Sequence, residues 1–217
     1  MPLSKKHQAS WDPQWLSQFE TVTFPIGSKI ISLDEPLTYN YYIQSGICAR
    51  IHPTASGEDL IMQYLYPGDM IGLFLQQFSK MAISQFEARK VCHCIRIPYE
   101  EVQKKIRNDS ILCYNLLQQN VWDVDFWAVS YLIRSLGGGI SILSLALLDQ
   151  AQKQPDGTWL IDSMFTNVEL SAYCGLHTVS ISRLMRQLTH EGILKRTEDG
   201  ILLYDRDRLE DYIKTDK

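Results

Sequence analysis

Residues 166–205 read TNVELSAYCGLHTVSISRLMRQLTHEGILKRTEDGILLYD, and this stretch decides the fold of the C-terminal part of the chain. Thr166 and Glu169 have the spacing of a capping box, so we expect a helix that begins there and ends at Gly175. A second helix is predicted from near His177, because apolar residues then recur with helical spacing at Ile181, Leu184 and Leu188. Two short helices joined at a glycine indicate a helix-turn-helix.

A hairpin is predicted directly after these helices. The pair Asp199-Gly200 lies between two short apolar runs, residues 192–196 and 201–204. An Asp-Gly pair between strands is a strong hairpin signal, because both residues tolerate the positive φ of a tight turn. We therefore predict a wing beside the helices, so that residues 140–217 form a winged helix-turn-helix domain. Its other predicted elements are a helix at 140–153 and a short strand at 159–161.

The outward side of the second predicted helix carries residue types that read DNA. Arg183 and Arg186 can bind guanine edges or phosphates, and the methyl groups of Thr178 and Val179 can contact thymine. Residues 175–190 contain these two arginines and no acidic residue. The candidate DNA-binding residues are His177, Thr178, Val179, Ser180, Ser182, Arg183 and Arg186.

The overall charge does not favour a nucleic-acid partner. The chain has a formal net charge of −4, and residues 140–217 carry more acidic than basic side chains. A winged helix that binds protein, with its arginines solvated, therefore remains an alternative to binding double-stranded DNA.

The N-terminal part of the chain has a different period. Short Ile- and Tyr-rich runs, at residues 29–31, 41–43 and 60–65, are separated by Gly- and Pro-containing turns, and a further strand pattern covers 83–97. Evenly spaced short strands favour an antiparallel barrel or sandwich. We therefore predict a jelly-roll-like antiparallel β-barrel as the sensor domain, residues 1–108, and an α+β fold class for the whole chain.

A long helix is predicted between the two domains, over residues 109–136. Its apolar residues follow the a/d seam of a coiled coil, at Leu117, Val121, Val124, Ala128 and Tyr131. This seam predicts a homodimer, and an ordinary core helix of a monomer is the alternative. Gly137-Gly138-Gly139 ends the helix and is predicted to be a hinge, residues 137–139.

The bulk composition limits the function classes. The chain has ordinary globular composition, with 45% hydrophobic and 21% charged residues, and no apolar run fits a signal peptide or a membrane span. We expect a cytoplasmic protein without a membrane partner. No G-x-S-x-G nucleophile motif occurs, and only His52 and His93 could serve a catalytic metal in the strand-rich part. An enzyme is therefore not expected.

From about Phe19 to Asp211 the chain resembles the Crp–Fnr superfamily of transcription regulators. The resemblance depends on Gly27, Gly46, Gly68-Asp69 and Ile71-Gly72, and on LSAYCGL (170–176), VSISR (179–183), Leu188, EGI (191–193) and Asp205-Arg206. The run HTVSISR (177–183) looks most like the halorespiration-type regulators. The resemblance implies an A/T-rich inverted repeat as DNA target, and RNA polymerase is a further candidate partner.

The departures from the family pattern concern the ligand. Members that bind cyclic nucleotides have a Glu after the Ile-Gly pair and an Arg-Ser pair before the next strand, where this chain has Leu73 and Ala82-Ile83. Cyclic AMP would lose its charge-assisted partners there. Iron–sulfur members have cysteines before the barrel, whereas the first cysteine here is Cys48.

Metal and haem binding are weakly supported by the sequence. On a strand, Cys92 and Cys94 point one way and His93 the other, so the three cannot converge on one ion, and a thiol redox switch has little more support. Met1-Pro2 is similar to the start of the haem-binding members, but residues 74–81 contain no Cys or His as second ligand. We therefore expect no metal and no cofactor.

The remaining interpretation is a small organic effector held between the barrel and the long helix. The family's pocket would be largely apolar and aromatic here, which suits a small molecule. A halophenolate is disfavoured, because the halophenol sensors have a Lys where this chain has Asp123. The same residues also suit a plain core, and that alternative stays open. The candidate effector-binding residues are Gly72, Leu73, Phe74, Met81, Ala82, Trp122, Asp123, Phe126 and Trp127.

Overall fold

The computed structural model describes residues 8–33, 35–53, 59–73, 82 and 84–214. The chain divides into two compact units, and the boundary between Asp123 and Val124 lies inside one long helix. The first is called the N-terminal unit (described residues up to Asp123) and the second the C-terminal unit (from Val124). They are described separately.

The N-terminal unit begins with a short helix and continues with strands. The short helix α1 is Pro13–Leu16, and Asp12 caps it by accepting a hydrogen bond from the Gln14 amide. The strands are β1 (Thr21–Phe24), β2 (Lys29–Ile31), β3 (Tyr39–Ser45), β4 (Cys48–Pro53), β5 (Asp59–Leu65), β6 (Met70–Ile71), β7 (Gln85–Ala88) and β8 (Cys92–Pro98).

These strands form two antiparallel sheets of four strands each. The strand orders are β1-β8-β3-β6 and β2-β7-β4-β5. The arrangement is jelly-roll-like, which confirms the predicted class, but the sheets do not close into one barrel. The strand pattern at 83–97 corresponds to two strands, β7 and β8, which belong to different sheets. Arg89 and Lys90, whose amides donate to the Ile47 carbonyl, lie between them.

The apolar faces of the two sheets meet in a core between them. This inter-sheet core takes residues from both sheets, among them Ile31, Ile43, Cys48, Ile71, Phe86 and Cys94. Inward and outward residues alternate along these strands because successive side chains of a strand point to opposite faces.

A second apolar cluster lies on the other face of the sheet that contains β3 and β8. Met70, Ile95 and Ile97 of that sheet pack there with Trp11 and Leu16 near the N-terminus. Helix α2 (Tyr99–Asn108) adds Val102 and Ile106, and the first turns of α3 (Ser110–Leu136) add Leu112 and Leu116. This second core fixes the start of the long helix, whose predicted bounds agree with α3. Helix α2 was not predicted.

The C-terminal unit contains the rest of α3 and a small winged domain. The elements after α3 are α4 (Gly139–Gln150), β9 (Gln152–Lys153), β10 (Trp159–Asp162), α5 (Asn167–Cys174), α6 (Thr178–His190), β11 (Leu194–Arg196), β12 (Gly200–Leu203) and α7 (Arg206–Lys214). The strands form one antiparallel sheet in the order β11-β12-β10-β9.

Helix α4 is the centre of the winged domain. It contacts α5, α6 and α7, and its residues from Ser141 to Leu148 are buried on all sides. The helix ends at Gln150, three residues before the predicted end, because Gln152 and Lys153 pair with β10 instead. Helix α7, which was not predicted, covers one side of α4.

Candidate functional site

The turn between α5 and α6 has the local geometry that the sequence predicted. The Glu169 amide donates to Thr166 Oγ1 over 3.2 Å, which satisfies a free N–H at the start of α5. Gly175 ends α5 with φ 67°, and its amide donates to the Ser171 carbonyl over 2.9 Å. Since few residues other than glycine adopt this left-handed conformation readily, Gly175 lets the chain turn directly into α6.

Helix α6 has one buried and one exposed side. Its buried residues are Ile181, Leu184, Met185 and Leu188, of which Met185 was not predicted. The apolar side of the helix therefore packs into the winged domain, and the opposite side faces solvent.

The exposed side of α6 carries most of the candidate DNA-binding residues. The Val179 side chain is 81% exposed, and His177, Thr178, Arg183 and Arg186 are also exposed. Ser180 is half-buried. Val179, Arg183 and Arg186 follow one another at steps of four and three residues, so the three side chains lie on one side of α6.

Ser182 differs from the expectation that it lies outward. It is half-buried, and its hydroxyl accepts a hydrogen bond of 3.0 Å from Asn167 Nδ2 at the start of α5. Arg196 of β11 donates to the Asn167 side-chain oxygen over 3.0 Å and to the Phe165 carbonyl. Ser182 therefore holds α6 in place against α5 and the wing. Asn167 and Arg196 were missed, because no short-range spacing connects them to residue 182.

The wing is the predicted hairpin. Strands β11 and β12 pair antiparallel, with Arg196 opposite Ile201, and the Thr197 amide donates to the Gly200 carbonyl over 2.7 Å. Gly200 has φ +144°, and a Cβ there would lie 2.0 Å from the Ile161 carbonyl oxygen. The glycine of the Asp-Gly pair is therefore required by a close backbone approach as well as by the turn.

Arg134, in the last turn of α3, is hydrogen-bonded to the end of α5. Arg134 donates to the carbonyls of Tyr173, over 2.8 Å, and Cys174, over 2.7 Å. These carbonyls lie at the C-terminal end of α5, where a helix leaves acceptors without intrahelical partners and carries partial negative charge. Arg134 thus caps α5 from the long helix, three residues before Gly137.

Helix α3 exposes a continuous apolar stripe, here called the α3 stripe. Leu117, Val121, Val124 and Tyr131 are between 55% and 70% exposed, and Ala128 is exposed as well. These are the five residues of the predicted a/d seam. Tyr114, one step earlier in the same pattern, is also exposed.

The candidate effector residues are distributed over several environments. Ala82 is buried in the inter-sheet core, and Gly72 has φ +84° beside Ile31 of that core. Leu73 packs against the second core instead, on the other side of the sheet. Trp122 and Asp123 are half-buried at the end of the N-terminal unit, whereas Phe126 and Trp127 belong to the C-terminal unit. Phe74 and Met81 lie outside the described residues.

Arg50 is a candidate effector residue that sequence reasoning missed. It lies on β4, and its Nε donates to Ser84 Oγ over 3.0 Å, with the guanidinium carbon 6.0 Å from the centre of the Phe86 ring. Burial lowers the pKa of Arg50, and the Asp123 carboxylate acts against this by raising it. The signal in the sequence that could have identified Arg50 was a charged residue within the otherwise apolar run Cys48-Ala49-Arg50-Ile51.

Two family models match the chain, one on each part. A cyclic nucleotide-binding domain model matches residues 21–109, and a Crp-like helix-turn-helix domain model matches residues 132–212. The order of the two matches is the order of the two folds described above. This chain belongs to the Crp/Fnr family of transcription regulators.

Known members of the Crp/Fnr family match over nearly the whole chain. The cAMP-activated global transcriptional regulator CRP of Salmonella typhimurium is 24% identical over 203 residues, covering 88% of this chain and 93% of the relative. The structure of FixK2 from Bradyrhizobium japonicum superimposes with a TM-score of 0.77 at 20% identity, covering 89% of this chain and 96% of FixK2. A CooA mutant from Carboxydothermus hydrogenoformans gives a TM-score of 0.75 at 13% identity, with coverages of 94% and 92%.

Membership in this family confirms that the chain is a regulator and not an enzyme, as the sequence led us to expect. The likeness to halorespiration-type regulators stays a prediction. Within the described residues, no helix of this Crp/Fnr regulator is both long and apolar enough to cross a bilayer.

The Cys92-His93-Cys94 run has the alternation expected of a strand. Cys92 and Cys94 are buried in the inter-sheet core, whereas His93 is exposed and hydrogen-bonded through Nδ1 to Thr23 Oγ1 over 3.0 Å. Among the residues that the structure describes, no group of three His, Cys, Asp or Glu side chains could hold a metal ion. The Met1-Pro2 and 74–81 segments considered for haem lie outside the described residues.

Proposed function

We propose that this Crp/Fnr regulator acts as a homodimer that binds double-stranded DNA at an inverted repeat, and that a small organic effector controls its affinity for DNA. The reading surface is the exposed side of α6. Its proposed DNA contacts are His177, Thr178, Val179, Ser180, Arg183 and Arg186, with Ser182 positioning the helix. The protein is proposed to act in the cytoplasm, with RNA polymerase as a further partner.

One observation supports this proposal above the others. The two arginines of α6 and the exposed Val179 lie on one side of a helix whose other side is fully packed. Arginine forks can bind guanine edges or phosphates, and an apolar side chain can contact a thymine methyl, so one such helix can read a major groove. The excess of acidic side chains in the winged domain does not oppose DNA binding at α6 itself, because residues 175–190 contain no acidic side chain.

The α3 stripe supports the homodimer. Large apolar side chains that repeat with coiled-coil spacing and stay exposed are costly in water, and a second copy of the same helix buries them in pairs. Two α6 helices in a symmetric dimer read two half-sites about one helical turn apart, roughly 34 Å. This symmetry requires the target to be an inverted repeat, which we propose is A/T-rich by the likeness to halorespiration-type regulators.

The effector is proposed to act through the N-terminal unit and α3. An effector changes DNA affinity only if it binds one arrangement of the protein more tightly than another. The glycines at 137–139 are the proposed hinge for that rearrangement. The Salmonella typhimurium relative is named as cAMP-activated. For this chain we propose a different effector, because Leu73 and Ala82 supply no charge for a phosphate.

Selection of DNA from a random pool tests the proposal. The purified full-length protein is compared with Arg183→Ala and with a matched control, Arg107→Ala, which removes an arginine from α2. We expect the wild type and the control to enrich the same inverted repeat, and Arg183→Ala to lose it, because a bidentate base contact contributes about 1–3 kcal/mol of discrimination.

The alternative is a ligand-sensing adaptor that does not bind DNA specifically. Binding that neutralises phosphates weakens steeply with salt, because counterions are released. If no sequence is enriched, with or without added cell extract, and residual DNA binding does not change with salt, the regulator proposal fails and the adaptor is favoured.

A further inference from the structure

Three side chains connect the wing to the reading helix through two consecutive hydrogen bonds. Arg196, the last residue of β11, donates to the Asn167 side-chain oxygen over 3.0 Å, and the Asn167 amide group donates to Ser182 Oγ over 3.0 Å. Arg196 also donates to the Phe165 carbonyl, just before α5, over 3.3 Å. The three side chains are here called the wing link (Arg196, Asn167 and Ser182).

The wing link has a defined direction. A guanidinium carries only N–H donors, so the Asn167 oxygen must face Arg196, and the NH2 group of the same amide is left for Ser182. Arg196 therefore fixes the orientation of the amide, and the amide holds the Ser182 hydroxyl. Removing Arg196 lets the amide rotate, although the partner of Ser182 is still present.

Ser182 lies beside the side chains that are proposed to read DNA. Val179 precedes it by three residues and Arg186 follows it by four, so both are its neighbours on the surface of α6. The Ser182 carbonyl also accepts a hydrogen bond of 3.4 Å from Arg186 Nε. A displacement of α6 at Ser182 would therefore move the side chains that are proposed to contact the bases.

The tip of the wing is poorly suited to hold DNA by its phosphates. Residues 197–199 connect β11 to β12, and Glu198 and Asp199 in this turn are exposed. Carboxylates repel phosphates that approach them. Arg196, directly before the turn, uses its guanidinium on Asn167 and the Phe165 carbonyl. The arginine of the wing therefore supports the protein's own helices.

We propose that the wing of this regulator governs sequence selectivity through α6 and not by binding the DNA backbone. Arg196 and Asn167 are positioning residues, which hold Ser182 and with it the exposed side of α6. This inference rests on the proposed function and adds two residues that determine specificity without a DNA contact of their own. Base readout needs donors in fixed positions, whereas phosphate contacts carry no sequence information, so a displaced α6 loses selectivity before it loses its general affinity for DNA.

The ratio of two affinities tests the inference. Full-length wild type, Asn167→Ala, Arg196→Met, the double variant and the matched control Lys195→Met are titrated by fluorescence anisotropy at several salt concentrations. One probe is the inverted repeat that the wild type selects, and the other is a duplex of random sequence and equal length. Lys195 is the exposed neighbour of Arg196 on β11, and its substitution removes the same charge. A partly unfolded sample lowers both affinities by the same factor, so the ratio reports positioning and not stability.

We expect Asn167→Ala and Arg196→Met each to bind the repeat about tenfold more weakly, the effect of one lost hydrogen bond, and to bind the random duplex like the wild type. The double variant should lose no more than the larger single loss, because both residues act through one link. Arg196→Met should keep the wild-type salt dependence, since no phosphate contact is lost.

The control Lys195→Met should keep the wild-type ratio of the two affinities. Arg196→Lys, which keeps the charge but not the planar fork of donors, replaces Arg196→Met if that protein does not fold. Its ratio should fall between those of the wild type and Asn167→Ala.

Three results would overturn the inference. The first is wild-type affinity for the repeat in both Asn167→Ala and Arg196→Met. The second is an equal loss of Arg196→Met on both duplexes with a weaker salt dependence, which would assign Arg196 to a DNA phosphate. The third is a double variant in which the two losses add. In each case a wild type that still selects its repeat keeps the proposed function, whereas a wild type that selects none would overturn both.

Discussion

At the scale of single residues, backbone geometry decides several positions of the N-terminal unit. Gly46 connects β3 to β4 with φ +101°, and a Cβ there would lie 2.3 Å from the Val91 carbonyl oxygen and 2.7 Å from the Cys92 Cα. Gly27 has a similar φ of +78° but open space around it. A substitution at Gly27 therefore meets only the strain of the left-handed conformation, whereas one at Gly46 meets that strain and a clash with backbone atoms.

Gly46→Ala should destabilise the protein by at least about 2 kcal/mol, because strain at positive φ and a clash with main-chain atoms add together. Gly27→Ala should cost only about 1 kcal/mol, from the φ strain alone. Urea unfolding of both variants measures the difference. Equal destabilisation would show that the Val91 backbone moves away at no cost.

The cysteine side chains differ in how far they are buried. Cys48, Cys92, Cys94 and Cys174 are buried, and Cys113 on α3 is exposed. Burial raises the pKa of Cys48, and it raises the pKa of Cys174 to about 12. Since the thiolate is the reactive form, buried thiols of this kind are inert at neutral pH.

We expect a thiol reagent such as Ellman's reagent to titrate one cysteine, Cys113, in the folded protein and all five after denaturation. Cys174 should stay unreacted when the pH is raised from 7 to 9, because its pKa of about 12 lies above that range. Cys113→Ser is the control and should leave no reactive thiol. Fast reaction of Cys92 or Cys94 in the folded protein would revive the redox switch.

At the scale of elements, local signals predicted α5 and α6 well. A hydroxyl cap at Thr166, a left-handed glycine at Gly175 and the helical spacing of Ile181, Leu184 and Leu188 all concern residues within one or two turns. Helix α2 was missed although its buried residues Val102 and Ile106 lie one turn apart, because the helix contains few apolar residues among its charged ones. The split of 83–97 into β7 and β8 was missed because it depends on which distant strands pair with each half.

Arg134 should stabilise the end of α5 in the C-terminal unit. Arg134→Met keeps the apolar stem and removes both hydrogen bonds to the Tyr173 and Cys174 carbonyls, so we expect a loss on the order of 1 kcal/mol. Arg134→Lys, which retains the charge and one donor group, should lose less. Hydrogen exchange of the α5 amides, followed by mass spectrometry, measures the effect. Unchanged protection of α5 in Arg134→Met would contradict it.

At the scale of the whole molecule, the α3 stripe is an apolar surface that a single chain leaves exposed to solvent. Its exposed residues follow the a/d spacing from Leu117 to Tyr131. The first turns of the same helix, at Leu112 and Leu116, are buried in the second core of the N-terminal unit. The apolar residues in the first turns of α3 are therefore buried within a single chain. We propose that a second chain buries those of the α3 stripe.

Val121→Glu should break the proposed dimer, because it places two buried carboxylates at the centre of the seam. We expect the dissociation constant of the dimer to rise at least about 100-fold. Gln118→Glu, which adds the same charge beside the seam, should leave the dimer intact. Analytical ultracentrifugation measures both variants. A wild type that sediments as a 25.0 kDa monomer at every concentration would exclude the dimer.

The sequence by itself determined the helix caps, the Asp-Gly hairpin, the buried side of α6, the seam of α3 and the order of the two folds. These features depend on residues a few positions apart, so their spacing is visible in the chain. Only the tertiary structure brought Arg50 to Ser84, joined Asn167 to Ser182 and Arg196, and placed Leu73 and Ala82 against different cores. The physical reason is that these contacts join residues distant in sequence, and their partners are set by strand pairing and packing that no local pattern encodes.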